Sequence, residues 1–188
     1  VTLAAAMNQL VYGDGAWSPS ANVTATVNTT APTPKQGANS SKLVCAAGFS
    51  TGLVAYFATG ALNLSAYQQL TFWVQSSVAL ASGALSLNLC SDAAGAVVVN
   101  TVTLNKALNA GQWTAVTIDN GAALGAAINS VSLTANSTLA SKTISLDNIS
   151  AAKAPSAADC LTLNSLISPN GSIWYSVQSI NGTTVYVD

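Results

Sequence analysis

The sequence contains no arginine, no glutamate and no histidine, and its charged side chains are only lysine and aspartate. General acid–base catalysis relies first on histidine and glutamate, and a serine nucleophile needs a base to activate it. Bidentate capture of phosphate or carboxylate is the particular capability of arginine. The composition therefore predicts a protein that holds or coats something and is not an enzyme. Catalysis would require a site built from aspartates alone or from a metal ion.

Charged residues are also few, with a net charge of −1 and five lysines scattered along the chain. Nucleic-acid binding requires a basic patch, so we expect none. A weakly charged surface gives little colloidal repulsion, which favours assembly into a homo-oligomer. No apolar run approaches the roughly 20 residues of a membrane span. The first residues, VTLAAAMNQL, lack an initiator Met and the basic region of a signal peptide, which indicates a processed chain or a fragment.

The three cysteines, Cys45, Cys90 and Cys160, have no CxxC spacing and no histidine companion. This pattern excludes the usual sequence signatures of a zinc site. Cys45 and Cys90 both lie in strand-like runs and are predicted to be small buried residues. A Cys45–Cys90 disulfide remains an alternative if the two strands are neighbours.

What the chain has in quantity is valine, alanine, serine, threonine and asparagine, which favours an all-β domain of many short strands. About eight to ten strands follow one another at the spacing of a sandwich. The GAALGAAIN stretch is compatible with a helix but is short, and is predicted to be a turn or loop. We therefore predict a two-sheet β-sandwich over residues 1–152. Its clearest strands are NVTATVNTT, SSKLVCAAGF, GLVAYFATG, YQQLTFWVQSS, GALSLNLCSD, AVVVNTVTL, QWTAVTID, SVSLTA and KTISLDNIS.

Residues 153–188 are predicted to form a linker followed by a small three-stranded β-meander. Its strands are LTLNSLIS, SIWYSVQSI and TTVYVD, separated by Asn170-Gly171 and Asn181-Gly182. Asn-Gly is the strongest short-range signal for a hairpin turn. Three short strands bury little surface alone, so we expect this appendix to pack on the sandwich or on a neighbouring subunit. In an oligomer, Trp174 and Tyr175 would be buried between subunits.

Five segments, in their order along the chain, carry a resemblance to a known family. They are VYGDGAW, the strand beginning Gly-Ala-Asn-Ser-Ser-Lys, LNLSAYQQLTFWVQSS, AGQWTAVTID and ISLDNIS. This series of segments resembles that of the galactose-binding-like β-jelly rolls, a class that includes many carbohydrate-binding modules. The resemblance implies a two-sheet jelly roll, no catalytic activity, frequent glycan binding and, in many members, one structural calcium ion.

Calcium binding is the sharpest prediction of a site. Hard cations need several oxygen ligands, including one or two carboxylates. Asp14 lies between Gly13 and Gly15, and Asp147 matches the position where related modules place a calcium-binding aspartate. The first and last strands of a jelly roll are commonly adjacent, so the two carboxylates could converge. The alternative is that Asp14 makes an Asx-type turn and that Asp147 bonds to local backbone.

Sugar binding needs a flat aromatic ring beside polar hydrogen-bonding groups. Trp17, in a loop of glycine, serine and proline, is predicted to be the exposed aromatic of the sandwich. Trp174 and Tyr175 are a second candidate pair. Phe72 and Trp73 are consecutive in a strand, so they face opposite sides and one belongs to the core. For every tryptophan, a place in the core or at a subunit interface is the alternative.

Two hypotheses of function follow. The first is a non-enzymatic structural module of a bacteriophage particle (tail fibre, spike or capsid decoration) that contacts other virion proteins and host-surface polysaccharide. The nearly uncharged composition with unpaired cysteines suits a protein assembled in a reducing cytoplasm. The second is a carbohydrate-binding module of a secreted bacterial polysaccharide-degrading enzyme, located outside the cell.

Overall fold

A computed structural model describes residues 8–153, together with the backbone of three strands at 166–167, 175–181 and 184–187. Its contacts divide the chain into two units, one of them Asn8–Ala152 and the other containing the three C-terminal strands. Residues 1–7, which the sequence prediction placed in the first domain, lie outside the described residues. Within the described part of the chain, no helix is long and apolar enough to cross a membrane.

The unit Asn8–Ala152 consists of two antiparallel sheets. Sheet 1 has the order β3-β4-β11-β6-β9, with β1 also paired to β11, and sheet 2 has the order β2-β5-β10-β7-β8. The strands are β1 (Asn8–Tyr12), β2 (Ser18–Pro19), β3 (Val23–Asn28), β4 (Ser40–Cys45), β5 (Gly52–Leu62), β6 (Gln69–Ser76), β7 (Leu85–Cys90), β8 (Val98–Thr103), β9 (Thr114–Asp119), β10 (Ile128–Ala135) and β11 (Thr143–Ala152).

The core between the sheets follows from residue alternation along the strands. In β6, QLTFWVQS, half-buried and buried positions alternate without exception, and Leu70, Phe72 and Val74 belong to the hydrophobic core. Because successive side chains of a strand point to opposite faces, Trp73 lies on the outer face of sheet 1. This alternation also settles the choice left open between Phe72 and Trp73.

The predicted fold class, an all-β two-sheet sandwich, is confirmed. Each of the nine predicted strands of this unit overlaps an observed strand, and residues 121–127 of the GAALGAAIN stretch are neither helix nor strand. The sequence prediction missed two strands. One is β1, which pairs with β11, and the other is the two-residue β2, which pairs with β5.

The three C-terminal strands form an antiparallel sheet in the order β12-β13-β14, as the predicted meander requires. They are β12 (Leu166–Ile167), β13 (Tyr175–Asn181) and β14 (Thr184–Val187). Asn181 pairs with Thr184, which leaves a connection of two residues between β13 and β14. Asn170, Gly171 and Gly182 of the predicted turns lie outside the described residues.

Cys45 and Cys90 are buried free thiols and lie on different sheets, since β4 belongs to sheet 1 and β7 to sheet 2. Cys45 is part of the hydrophobic core, whereas the Cys90 sulfur lies 3.7 Å from the Ser132 hydroxyl. Burial raises the pKa of both thiols, which keeps them protonated and unreactive. The alternative of a Cys45–Cys90 disulfide is therefore wrong, and Cys160 lies outside the described residues.

Candidate functional site

The 29–39 loop, which connects β3 to β4, is fixed over the outer face of sheet 1. The backbone N–H groups of Lys35 and Gln36 donate to Asp147 Oδ2 at 2.5 and 3.0 Å. Trp113 Nε1 donates to the carbonyl of Thr33 at 3.0 Å. The Lys35 ammonium lies 5.5 Å from the centroid of the Trp73 ring. The loop is therefore held by side chains of sheet 1 and by the residue that precedes β9.

One side of this loop closes a pocket that contains both predicted calcium ligands. The aspartate pocket has a volume of about 180 Å³ and is lined by Leu10, Gly13, Asp14, Gln36, Gly37, Asp147 and Asn148. Asp14 follows β1 and Asp147 is in β11, and the pairing of these strands brings the two regions together. Asp14 Oδ1 accepts a hydrogen bond from the N–H of Asn39 at 3.2 Å.

Gly37 allows the loop to approach Asp14 closely. A Cβ atom at this position would lie 2.8 Å from both carboxylate oxygens of Asp14. Gly37 also has a φ of +66°, a left-handed conformation that other residues rarely adopt. No sequence motif indicated this contact, because Gly37 and Asp14 are brought together only by the fold.

Asp147 provides the strongest electrostatic feature of the pocket. Its side chain is 1% exposed, and its Oδ1 atom is buried without a hydrogen-bond partner in the described part of the chain. An unsatisfied buried carboxylate oxygen is costly unless a donor or cation meets it. The alternative of local backbone bonding is wrong for Asp147, since its partners Lys35 and Gln36 are more than 100 residues away in sequence.

The donor set fits a hard cation in part. Two carboxylates line a pocket with room for an ion and water molecules, and one buried carboxylate oxygen lacks a hydrogen-bond partner among the described residues. Among the residues that the structure describes, no group of three or more acidic, cysteine or histidine side chains is assembled. Backbone carbonyls and water would therefore supply the remaining ligands.

On the other side of the 29–39 loop lies a second cavity, which we call the Trp73 cleft. It has a volume of about 200 Å³ and is lined by Gln36, Thr71, Phe72, Trp73, Ala115, Val116, Thr117 and Asn148. Trp73 pairs with Ala115 and Thr71 with Thr117 across β6 and β9, so these four side chains share the outer face. The half-buried indole thus forms a wall beside two hydroxyl groups.

An irregularity in β11 adds an amide to this cleft. The register of the β11–β6 pairing shifts between Asp147 and Ser150, and Asn148 has a φ of 44°. Asparagine is among the few residues that adopt this conformation readily. Asn148 Nδ2 donates to Gln36 Oε1, which ties β11 to the 29–39 loop. Gln36 and Asn148 line both cavities, so the ion pocket and the cleft share a common wall.

The prediction that Trp17 is exposed is wrong. Trp17 is 4% exposed and packs with Tyr12 and Phe57, whose rings lie 5.4 and 6.3 Å away from it between centroids. The Phe57 ring lies directly against Gly15, where a Cβ atom would overlap it. Burial is the main cause that raises the pKa of Tyr12 to about 12. Trp17 therefore packs in the core against Tyr12 of β1 and offers no surface to a ligand.

Of the other predicted aromatic residues, Trp174 lies outside the described residues and Tyr175 is described only as the first residue of β13. Their proposed burial between subunits stays a prediction. Trp73, which sequence reasoning placed on one strand face without selecting it, is the half-buried aromatic residue of the Trp73 cleft, where Phe72 is buried. The alternating pattern of β6 was the signal that could have identified it.

The outer face of sheet 2 is organised differently. The 91–97 loop, between β7 and β8, covers part of it, and a Cβ on Gly95 would lie 2.7 Å from Tyr56 Cβ and 3.0 Å from Ser132 Cβ. Beyond the loop, polar side chains bond to each other. Asn88 Nδ2 donates to Thr134 Oγ1 at 2.8 Å, and Thr101 Oγ1 donates to Asn88 Oδ1 at 2.9 Å. These groups are less available to a ligand than those of the Trp73 cleft.

Comparison with known proteins gives similarity in structure alone. No family model matches the sequence. No curated protein matches it either. The structure is similar to a family 11 carbohydrate-binding module from Clostridium thermocellum, solved with a β-1,3-1,4-mixed-linked tetrasaccharide. The TM-score is 0.55 at 13% identity, with 80% of this chain and 98% of that chain covered. The chain has the jelly-roll fold of these modules.

Two further structures share this fold. The first is the xylan-binding domain CBM22-1 from Paenibacillus barcinonensis, with a TM-score of 0.50, 14% identity, and 81% of this chain and 100% of that chain covered. The second contains the CBM22-1 and GH10 modules of a Clostridium thermocellum endo-1,4-β-D-xylanase with xylohexaose. Its TM-score is 0.50 at 16% identity, with 77% of this chain and 28% of that chain covered. At these identities the similarity establishes the fold and leaves the ligand open.

Proposed function

We propose that this protein is a non-catalytic carbohydrate-binding module that holds a polysaccharide chain in the Trp73 cleft. The observation that carries the proposal is the partly exposed Trp73 ring beside the hydroxyl and amide groups of the cleft. Support for the ligand class comes from the jelly-roll neighbours, which were solved with or named for β-linked glucan and xylan. These two polysaccharides are therefore the first ligands to test.

The chemistry of the cleft suits a sugar because it joins one apolar surface to several uncharged polar groups. The indole face that Lys35 does not cover offers a flat wall for the C–H face of a pyranose, and burial of aromatic surface supplies much of the affinity. Within residues 8–153, no hydrogen bond involves the Thr117 hydroxyl or the Gln36 amide nitrogen. They are free to bond to sugar hydroxyls, which fixes the orientation of the chain.

Calcium is proposed as a structural ion of the module. Asp14 and Asp147 would hold it, with Asp147 Oδ1 as the central ligand. The ion supplies positive charge to a buried carboxylate and no reaction chemistry. Because Asp147 also fixes the backbone of Lys35 and Gln36, the same residue links the ion pocket to the wall of the cleft.

The alternative of a module from a polysaccharide-degrading enzyme is better supported than the virion component. One neighbour combines this fold with GH10 modules in a xylanase chain, of which the present chain covers 28%. None of the described features is specific to a structural protein of a bacteriophage particle. An extracellular location and attachment to a catalytic partner domain follow from the enzyme-module proposal. The predicted homo-oligomer stays a prediction, and light scattering of the purified protein tests it.

Isothermal titration calorimetry with mixed-linkage glucan and xylan oligosaccharides tests the proposal. We expect Trp73→Ala to weaken binding tenfold or more, since loss of a central aromatic contact typically exceeds about 1.4 kcal/mol. Tyr56→Ala, on the outer face of sheet 2, is the matched control and should leave affinity unchanged. Binding that is lost with Tyr56→Ala and kept with Trp73→Ala would move the site to sheet 2. Absence of binding to any glycan would refute the function itself.

A further inference from the structure

Two lysines contact residues that line the Trp73 cleft. The chain has five lysines and a net charge of −1. The Lys35 ammonium lies 5.5 Å from the Trp73 ring centroid. The Lys106 ammonium donates to the carbonyl of Ala115 at 3.4 Å, and Ala115 lines the cleft beside Trp73. Neither lysine lines the cleft itself, but two of the five cations of a nearly uncharged protein contact residues that do.

Neither cation is neutralised by a carboxylate within residues 8–153. Lys35 contacts an aromatic face and Lys106 contacts a backbone carbonyl, and neither ammonium is in an ion pair there. No aspartate lines the cleft. The neighbouring Asp147 is buried on β11, and its Oδ2 is bonded to the backbone of Lys35 and Gln36. Two cations thus contact residues of the cleft, while the Asp147 carboxylate lines the adjacent aspartate pocket.

We propose that the Trp73 cleft selects a saccharide that carries a carboxylate, as in a uronic acid residue, over the neutral saccharide of the same length. This inference rests on the proposed glycan binding and specifies the ligand of that site. The saccharide carboxylate contacts the Lys35 ammonium, which lies over the Trp73 ring, and Lys106 adds positive potential at the Ala115 side. Cation–π contact with Trp73 holds Lys35 in place before the ligand arrives.

The size of the effect follows from the exposure of both lysines. Lys35 and Lys106 are solvent-exposed, so each contact with a carboxylate is screened by water and salt. We expect a uronic acid group to improve affinity two- to fivefold at about 50 mM salt, and the preference to disappear at about 0.5 M salt. Neutral saccharide affinity should vary little over the same range of salt.

The test is calorimetry with two xylo-oligosaccharides of equal length, one bearing a single glucuronic acid side group and one without it. Lys35→Gln should remove most of the preference for the acidic ligand, and Lys106→Gln should reduce it by a smaller factor. Lys142→Gln is the matched control, because the Lys142 ammonium bonds to the Thr138 carbonyl, and Thr138 does not line the cleft. Thermal unfolding of each variant verifies that the fold is kept.

The outcomes separate the two proposals. Tighter binding of the acidic ligand that is lost in Lys35→Gln and in salt, and kept in Lys142→Gln, supports the inference. Equal binding of both ligands by the wild-type protein overturns the acidic preference and leaves the glycan-binding function standing. A preference that persists in Lys35→Gln also overturns the inference. Failure to bind either ligand, or any other glycan, refutes the function together with the inference.

Discussion

The 29–39 loop and the 91–97 loop each cover part of the outer face of one sheet, and in each loop backbone N–H groups donate to an aspartate. Asp92 accepts hydrogen bonds from the N–H groups of Ala94, Ala96 and Val97 at 2.6 to 3.2 Å and uses both oxygens. Asp147 accepts from Lys35 and Gln36 through Oδ2 alone, and its Oδ1 is buried without a partner. Both oxygens of the Asp92 carboxylate thus accept hydrogen bonds, whereas only one oxygen of the Asp147 carboxylate does.

The difference between these aspartates reflects the distance along the chain to their partners. Asp92 bonds to residues two to five positions ahead, so the 91–97 loop is completed by local sequence. Asp147 bonds to a loop more than 100 residues earlier, at a pocket that it shares with Asp14. The hydrogen bonds within the 91–97 loop therefore complete the partners of Asp92. The bonds to the 29–39 loop leave Asp147 Oδ1 without a partner, and a cation could neutralise its charge.

Removing the Asp147 carboxylate should produce the largest effect. Asp147→Ala deletes the acceptor of two backbone N–H groups that fix the 29–39 loop. We expect a loss of about 3 kcal/mol in the free energy of unfolding, because buried bonds to a charged acceptor are lost and donors are left unpaired. Urea unfolding measures this loss, and glycan affinity should fall in parallel. A change below about 1 kcal/mol would mean that the loop is held by other contacts.

Asp147→Asn sharpens the same comparison, since an amide keeps one acceptor oxygen and removes the charge. In chelator the variant should be at least as stable as the wild-type protein, because it lacks a buried carboxylate oxygen without a partner. In millimolar calcium the wild-type protein alone should be stabilised, by about 2.7 kcal/mol when the ion is at 100 times its Kd. Thermal unfolding in both conditions gives the result. Equal stabilisation of the two proteins would place any calcium elsewhere.

A moderate effect is expected where the 91–97 loop contacts sheet 2. In Gly95→Ala the new methyl group would lie 2.7 Å from Tyr56 Cβ, at a residue whose φ is +74°. We expect destabilisation of about 2 kcal/mol from the clash and the backbone strain together. Gly83→Ala is the matched control, with a φ of +82° and no atom within 4 Å of the new Cβ, and should show only the strain. Equal losses in urea unfolding would mean that the contact with Tyr56 is unimportant.

The smallest effect concerns the charge of Asp92. The Val97 N–H bond is the main cause that lowers the pKa of Asp92, and those from Ala96 and Ala94 act in the same direction. Stabilisation by this carboxylate is therefore complete above its unfolded pKa of about 3.9 and decreases as the pH falls through the lower folded value. Asp92→Asn should be less stable than the wild-type protein at pH 6, and the difference should shrink toward pH 2. A difference independent of pH would exclude the charge as its source.

Sequence reasoning predicted the sandwich well because its signals are local. Strict alternation in QLTFWVQS specifies β6 and its buried face, and comparable runs specify the other long strands. The short β2 was missed, since two residues carry no period and the strand exists only through its pairing with β5. The strand β1 was missed because it pairs with β11, which lies more than 130 residues later in the sequence, and no local pattern indicates this pairing.

The candidate site was harder to predict because its geometry is built from distant residues. Asp14 and Asp147 were paired through a family resemblance, and no local pattern shows that the 29–39 loop closes over them. Trp17 was misplaced because its burial depends on the close approach of Phe57 to Gly15. Trp73 follows from strand alternation, but the open cleft beside it depends on the irregular β11 backbone at Asn148. Contacts of this kind arise only once the sheets have assembled.

The pairing of β1 with β11 also determines how the unit responds to tension. Asn8 lies opposite Ala152 in this antiparallel pair, so the first and last residues of the unit Asn8–Ala152 are adjacent in sheet 1. Hydrogen bonds between antiparallel strands run perpendicular to the strands. A pull that separates these ends therefore loads the bonds one after another and peels β1 away, beginning with the Asn8–Ala152 pair. Asp14 follows β1 by two residues, so peeling would first withdraw Val11 and Tyr12 from the core and only then reach the aspartate pocket.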